Sequence, residues 1–231
     1  MDVIRYEDAD FEEFFFEVYP DVAIPIEIRV NMEGKAVITT YRKTEEIARE
    51  LESRFSADLF SPEALRFLDG ALRPIVSSWG YRPDKRCESY ILNYELTKEA
   101  DVNPAVLLPD TELLVSLPEG VGNCTTYDFE EADEDPKAVI IKNGKVVSLA
   151  CINSYDEDGE ERELNTETAP AYRRQGYSAA NTAALAKELL ARGYRVTYNC
   201  NVKNSASRRV AEKCGFAYVG KSYYYVCYRE E

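Results

Sequence analysis

The sequence predicts an α/β fold with a mixed sheet, and three observations within residues 137–228 support this prediction. Three strands joined by short turns come first, a basic turn then leads into a helix, and a strand, a second helix and two more strands follow. The first helix can carry the chain from one strand to the next by a right-handed crossover. The strands on either side of this helix are therefore expected to be parallel neighbours. The rest of the sheet is expected to be antiparallel.

The N-terminal half is predicted to be an additional α/β region of unknown role, with domains at 1–109 and 110–231. Pro and Gly residues between 103 and 122 place the boundary there. Thr44 is the expected cap of the first helix, and Pro62 takes the first position of the second. The predicted elements are a hairpin of strands at 24–30 and 36–41, helices at 44–59 and 61–78, and a strand at 88–96.

The C-terminal half has a more regular pattern. An acidic segment at 128–135 precedes it, Asn143-Gly144 is a two-residue hairpin turn, and Gly193 ends the first helix. That helix has an apolar face formed by Ala179, Ala183, Ala186 and Leu190. The predicted elements are strands at 137–142, 145–154 and 162–168, a helix at 177–192, a strand at 194–200, a helix at 204–214, and a closing hairpin at 216–219 and 222–228.

The charge is unevenly distributed along the chain. The net charge is −14, yet residues 165–231 contain 11 basic and 5 acidic side chains against 17 and 37 in residues 1–164. The overall sign argues against nucleic acid as a partner. The basic segment suits a small anionic ligand, whereas the acidic remainder suits either a cationic substrate or simply solubility.

Residue types that are missing exclude several classes of site. The chain contains no His, so acid–base chemistry must use carboxylate, Tyr, Lys, Cys, water or the backbone. Six scattered cysteines without a CxxC pair offer no metal site and indicate reduced thiols in a cytoplasm. The acidic N-terminus does not resemble a signal peptide, and no apolar run is long enough for a membrane span. A homodimer is compatible with the sequence.

The segment 168–179 is the strongest indication of function. It contains a strand end, a tight turn with Arg173 and Arg174, and the start of a helix. Unpaired amides and the helix dipole at such a start favour a phosphate group. Gly176 allows the backbone to approach a ligand closely, although it is equally explained as an ordinary helix-boundary glycine.

The order and spacing of these elements resemble the GCN5-related N-acetyltransferase (GNAT) family over residues 137–228. The turn Arg173-Arg-Gln-Gly176-Tyr-Ser178 is similar to the family's Arg/Gln-x-x-Gly-x-Gly/Ala, with Ser178 replacing the last residue. Asn204, Ser207 and Ala211-Glu-Lys-Cys-Gly-Phe216 are similar to its second helix and the strand after it. The pattern Tyr198-x-Cys200-x-x-x-Asn204 resembles sequences of a bacterial branch of the family that carries an N-terminal extension.

The resemblance implies that acetyl-CoA binds as the acyl donor, without a metal. The backbone of Glu167 and Thr168 is then expected to pair with the pantetheine arm in a splay between the two parallel strands, with Asn204 hydrogen-bonding the arm. Alternatively, Asn204 only caps its helix, and the two arginines of the turn are only solvated. The residues expected to hold the diphosphate are Arg173, Arg174, Gln175, Gly176, Tyr177, Ser178 and Ala179.

The same resemblance implies catalytic groups, of which one is missing. The family's Tyr general acid aligns with Ala211, so Tyr224 on the last strand is a candidate substitute, with aromatic packing as the alternative. Glu163 and Glu167 lie on one strand face and are candidate bases, with a solvated strand face as the alternative. Cys200 and Cys214 are expected to be buried rather than nucleophilic.

The expected function is therefore transfer of an acetyl group from acetyl-CoA to a primary amine of a small molecule, directly in a ternary complex. Two alternatives remain. One is a CoA-binding module without turnover, which the substitution at Ala211 suggests. The other is acetylation of a protein N-terminus or Lys side chain, which the acidic part of the chain suggests through attraction of a basic peptide.

Overall fold

The computed structural model describes residues 2–5, 22–83, 91–98, 135–155 and 159–229. These residues fall into two compact units. The first unit takes residues 1–92, 201–203 and 220–231, and the second takes 93–200 and 204–219. The predicted boundary at 109/110 and nearly all of the acidic segment 128–135 lie outside the described residues, so the boundary stays a prediction.

The first unit has a mixed sheet covered by two helices. Strand β4 pairs in parallel with β1 and antiparallel with β3, which confirms the predicted hairpin. Fully buried residues such as Ile28, Ile38, Leu51 and Leu72 join these strands to the helices in one core. The elements are β1 (Asp2–Arg5), β2 (Val22–Ala23), β3 (Ile26–Asn31), β4 (Ala36–Thr40), α1 (Glu45–Phe55), α2 (Pro62–Ser78) and β5 (Tyr81–Pro83).

Helix α1 is shorter than predicted, and the residue at its predicted N-cap position does not cap it through a side-chain hydrogen bond. Thr44 occupies the N-cap position, but its hydroxyl hydrogen-bonds Thr40 Oγ1 at 2.8 Å and the Pro25 carbonyl at 3.1 Å. The helix ends at Phe55 because Asp58 forms a local turn, in which its carboxylate accepts from the Phe60 N–H at 3.0 Å. By contrast, the prediction for α2 is confirmed at its start, where Ser61 Oγ accepts from the Ala64 N–H at 3.2 Å.

The second unit contains the predicted C-terminal pattern. Its strand order is β11–β6–β10–β9–β8–β7, with residues 216–219 of β11 in this unit. Strands β9 and β10 pair in parallel as predicted, and α3 packs on β7, β8 and β9. The elements are β6 (Ile91–Leu96), β7 (Ala138–Lys142), β8 (Lys145–Tyr155), β9 (Glu161–Thr168), α3 (Tyr177–Ala191), β10 (Arg195–Asn201), α4 (Ser205–Lys213) and β11 (Phe216–Tyr224).

The predicted C-terminal hairpin is wrong, because β11 runs straight through Gly220. A Cβ on that glycine would lie 2.4 Å from the Val30 carbonyl oxygen, so the residue is needed for close strand approach and not for a turn. Residues 220–224 pair antiparallel with β3 in the first unit. A further strand, β12 (Cys227–Arg229), pairs with β2 and β5 in a separate sheet of that unit.

Gly215 ends α4 in a position that only glycine fits, and this gives a stability prediction. Its φ is +91°, and an added Cβ would lie 2.1 Å from the Lys98 carbonyl oxygen. Gly193 has a similar φ of +90° but no atom within 4 Å of an added Cβ. We expect Gly215→Ala to lower the free energy of unfolding by about 3 kcal/mol and Gly193→Ala by about 1 kcal/mol.

Urea denaturation of both variants measures this difference. Equal losses would show that the steric conflict with Lys98 contributes nothing and that only the left-handed backbone matters.

The cysteines of the described segments, Cys151, Cys200, Cys214 and Cys227, are buried and form no disulfide with one another. This agrees with the prediction that Cys200 and Cys214 are packing residues. Among the helices that the structure describes, none is long and apolar enough to cross a membrane.

Candidate functional site

The site begins where the two parallel strands stop pairing. The register of β9 with β10 runs from Glu161–Arg195 to Leu164–Tyr198. Strand β9 continues to Thr168 and β10 to Asn201, so each extends beyond its last paired residue. A cavity of about 730 Å³ is lined by this part of β9, by the turn that follows it, and by the first residues of α3. Helix α4 and Tyr198 of β10 complete the lining.

The turn between β9 and α3 has an unusual backbone. Arg174 has a φ of +63° and Gly176 a φ of +83°, both in the left-handed region. A non-glycine residue rarely takes that conformation, and such residues concentrate at ligand sites. Turns that mix left-handed and other residues direct successive N–H groups toward one concave side, where an anion binds.

Helix α3 adds donors to that turn. The Ala180 N–H donates to the Gly176 carbonyl at 3.0 Å, which is the first bond of the helix ladder. The N–H groups of Tyr177, Ser178 and Ala179 therefore have no carbonyl within the helix to pair with. Gly176 is the N-cap residue and has no side chain to cap them. All three residues line the cavity, so the positive end of the helix dipole lies at its wall.

A chain of hydroxyl groups holds the turn against the sheet. Ser148 Oγ on β8 accepts from Asn181 Nδ2 at 2.9 Å and donates to the Glu167 carbonyl at 3.0 Å. Thr168 Oγ1 lies 2.7 Å from Ser148 Oγ and 2.7 Å from Ser178 Oγ. Because each hydroxyl has one proton, Thr168 donates to Ser148, and Ser178 donates to Thr168. This bond gives a structural reason for Ser178, where the family has Gly or Ala.

The end of β9 directs alternate peptide groups toward the cavity side. The Ala169 N–H donates to the Val147 carbonyl on β8 at 3.0 Å, and the Glu167 carbonyl also faces β8. By alternation, the peptide groups of Thr166 and Thr168 face the opposite edge, toward β10. Of the two residues whose backbone was predicted to pair with the pantetheine arm, only Thr168 therefore faces that edge, because the Glu167 carbonyl is bound on β8. Arg173 Nε donates to the Thr168 carbonyl at 3.0 Å and so ties the strand end to the turn.

The charges in the lining favour an anion. Four cationic side chains and one carboxylate, Glu167, line the cavity within the described part of the chain. Arg173 and Arg174 were predicted, whereas Arg209 and Lys213 were not. Both lie on α4 with Ala206 and Val210, at the three- and four-residue spacing of one helix face. That spacing is visible in the sequence and marks the side of α4 that lines the cavity.

Two hydroxyl groups meet where β10 and the first turn of α4 line the cavity. Tyr198 Oη and Ser207 Oγ are 2.8 Å apart. Asn204 caps α4 as predicted, with its Oδ1 accepting from the Ser207 N–H at 3.1 Å, and it also lines the cavity. Burial raises the pKa of Tyr198 to about 12, so its hydroxyl keeps its proton at neutral pH. Sequence reasoning used Tyr198 only as a family marker.

The structure brings together most, but not all, of the predicted site residues. Of the candidate catalytic groups, only Glu167 lines the cavity. Glu163 accepts from Asn153 Nδ2 at 3.2 Å and from Ser154 Oγ at 3.0 Å instead. Tyr224 belongs to the first unit, where burial raises its pKa to about 12. Among the predicted cofactor residues, Gln175 is exposed and is not part of the lining.

Comparison with known proteins is informative for the second half of the chain. Residues 138–228 match the family model of GNAT acetyltransferases. No curated protein matches the sequence.

Within the described segments, no cluster of three or more Cys, Asp or Glu side chains has the arrangement of a metal site.

The chain is similar to several solved structures, and the first one named here has the same fold. A Novosphingobium aromaticivorans protein described as a GNAT-family acetyltransferase is 14% identical with a TM-score of 0.50, and the match covers 66% of this chain and 69% of that one. A Colwellia psychrerythraea acetyltransferase of the family is 16% identical, with coverages of 62% and 56% and a TM-score of 0.48. A Kribbella flavida GCN5-related N-acetyltransferase is 15% identical, with coverages of 70% and 64% and a TM-score of 0.47.

Proposed function

We propose that the protein transfers an acetyl group from acetyl-CoA to the primary amine of a small molecule. The premise is that residues 138–228 match the family model of GNAT acetyltransferases. The observation that supports this proposal is the cavity between the parted strands. Among the described residues, its lining contains the amides at the start of α3, four cationic side chains and a single carboxylate. A polyanionic donor with a long amide-containing arm fits such a lining.

Each part of the donor has candidate partners in this chain. The turn from Arg173 to Ala179 would hold the diphosphate, mainly through backbone N–H groups. The peptide groups of Thr166 and Thr168 would pair with the pantetheine amides in the manner of an added strand. Asn204, at the start of α4, would contribute a side-chain amide to the same arm. The acetyl group itself is activated as a thioester, which is the chemistry that the donor supplies.

Glu167 is the proposed general base. It is the only carboxylate among the described lining residues, and it lies on the open stretch of β9, three residues beyond Leu164, the last residue paired with β10. An amine attacks a thioester only as the neutral base, so a group is needed to take up its proton. A carboxylate does this directly or through one water molecule. Transfer in a ternary complex then needs no nucleophilic residue, in keeping with the buried, packed state of Cys200 and Cys214.

A binding measurement followed by a turnover measurement tests the proposal. Isothermal titration with acetyl-CoA should give saturable binding, and acetyl-CoA with a panel of small primary amines should release thiol. Thiol release with small amines supports the proposal. Binding without release for any amine favours a CoA-binding module, which the substitution of Ala211 for the family's acid suggests. Absence of binding would overturn both.

A protein or peptide acceptor is the second candidate, and the charge distribution supports it. Residues 1–164 contain 37 acidic and 17 basic side chains, an excess that attracts a basic peptide. The same assay with Lys-rich peptides and peptides with free N-termini distinguishes the two acceptors. Release with peptides alone would replace the small-molecule proposal.

The absence of a disulfide among the described cysteines supports the proposal of a cytoplasmic location.

A further inference from the structure

The hydroxyl pair formed by Tyr198 and Ser207 has no role in the binding scheme above. Both residues line the cavity, and their oxygens are 2.8 Å apart. The Tyr198 side chain is 2% exposed, and its ring packs against Phe216 with 5.7 Å between centroids. The packing fixes the ring, so the hydroxyl has a defined position at the first turn of α4.

The position of Tyr198 along the groove is the second observation. It is the last residue of β10 that pairs with β9, opposite Leu164. The diphosphate turn follows the other end of the open stretch, after Thr168. Thr168 lies four residues along the strand from Leu164, a distance of about 13 Å at roughly 3.3 Å per residue. A ligand held by its phosphates at α3 and running along β9 therefore brings its far end, the thiol end, toward Tyr198.

We infer that Tyr198, supported by Ser207, donates a hydrogen bond to the sulfur of coenzyme A and gives it a proton as the thiol leaves. This inference rests on the proposed function. Ala211, which takes the place of the family's acid, has no proton to give. Lys213 also lines the cavity, but it lies six residues beyond Ser207, about 9 Å further along α4 at about 1.5 Å per residue.

The proposed step is balanced. The amine nitrogen forms a bond to the acetyl carbon, the carbon–sulfur bond breaks, and the sulfur keeps the electron pair of that bond. The sulfur takes the proton of the Tyr198 hydroxyl. Tyr198 takes a proton from Ser207, and Ser207 takes one from water in the cavity. Glu167 accepts the proton of the amine and returns it to water, so the protein ends in its starting state. The products are the amide and the free thiol.

The surroundings of Tyr198 keep it protonated until that step. The titratable groups beside it are the thiols of Cys200 and Cys214, and burial raises the pKa of both thiols. Within the described segments, the charged groups of the cavity wall are Glu167 and four cations. All of these are unchanged by replacing the tyrosine hydroxyl, so a variant at 198 isolates its effect.

The decisive experiment measures the pKa of the coenzyme A thiol when bound, from the ultraviolet absorbance of the thiolate. We expect Tyr198→Phe to bind coenzyme A with an unchanged Kd and to raise the bound thiol pKa by about one unit, the size expected for one hydrogen bond to an ionised group. Tyr194→Phe is the matched control. Tyr194 stacks with Arg162 at 4.0 Å and is not part of the described lining.

The thiol pKa decides the inference without any turnover. An equal bound-thiol pKa in the wild type and Tyr198→Phe would overturn the role of Tyr198 even if the protein is an active acetyltransferase. A raised pKa in a protein that releases no thiol would support Tyr198 and contradict the proposed function. If the wild type does not bind coenzyme A, both fail.

Turnover gives a second readout that a packing role would not change. Tyr198→Phe is expected to lower kcat about 10- to 100-fold with little change in KM for acetyl-CoA. Incorporation of 3,5-difluorotyrosine at 198, which lowers the phenol pKa, should move the alkaline fall of kcat to lower pH. An alkaline limb that stays at the wild-type pH would contradict proton donation.

Discussion

Replacing Gly176 with valine is expected to raise the Kd for acetyl-CoA about 100-fold, a loss of about 2.7 kcal/mol of binding free energy. Gly176 has a φ of +83° and is the N-cap residue of α3. A β-branched residue strains that backbone and places methyl groups in the turn that directs the amides of residues 177–179 at the ligand. Isothermal titration measures the effect.

The control for Gly176→Val is Gly193→Val at the other end of the same helix. Gly193 has a φ of +90° and open space around an added Cβ, so its variant suffers comparable backbone strain. We expect similar losses of thermal stability in the two variants, with the Kd unchanged in Gly193→Val. If both variants bind acetyl-CoA equally well, the turn at Gly176 is not the diphosphate site.

Replacing Glu167 with glutamine is expected to lower kcat about 100- to 1000-fold while leaving acetyl-CoA binding unchanged. Glutamine keeps the shape of the side chain but cannot accept a proton from the attacking amine. The expected loss is of the size usually seen for a general base. Steady-state kinetics at several pH values, with the amine that gives the highest turnover, measure it.

Glu163→Gln is the matched control on the same strand face. The Glu163 carboxylate is held by Asn153 and Ser154, and Glu163 is not among the described residues of the cavity wall. We expect its kcat to stay within about threefold of the wild type, since a surface carboxylate outside the site contributes little. A larger loss in Glu163→Gln than in Glu167→Gln would move the base to position 163.

The elements that the sequence predicts well are those with a local signal. Asn143-Gly144 and the segment 137–200 have turn residues and periodicities that depend only on near neighbours, and their elements are confirmed. The turn predicted around Gly220 is wrong because the close approach to Val30 depends on a strand some 190 positions earlier in the chain. The side-chain cap expected from Thr44 is absent for a similar reason, since Thr40 and Pro25 bind the hydroxyl that would cap the helix.

The site follows the same rule. The turn around Gly176 and the cap at Asn204 are predictable because their geometry is set within a few residues. Tyr198 and Arg209 were missed because alternation and helix periodicity show which residues share a face, but not which face lines a cavity. Ser178 departs from the family pattern in the sequence, and its partner Thr168, which also bonds Ser148, is set by the folded structure rather than by near neighbours.

The strand pairing of residues 220–229 has a practical consequence for dissecting the protein. These residues complete the sheets of the first unit against β3, β2 and β5, although they come at the end of the chain, after the second unit. A fragment cut near residue 109 would expose the edge of β3, and such unpaired edges promote aggregation. Removing residues 220–229 therefore damages the first unit, and the roles of the two units are best separated by point substitutions in the intact chain.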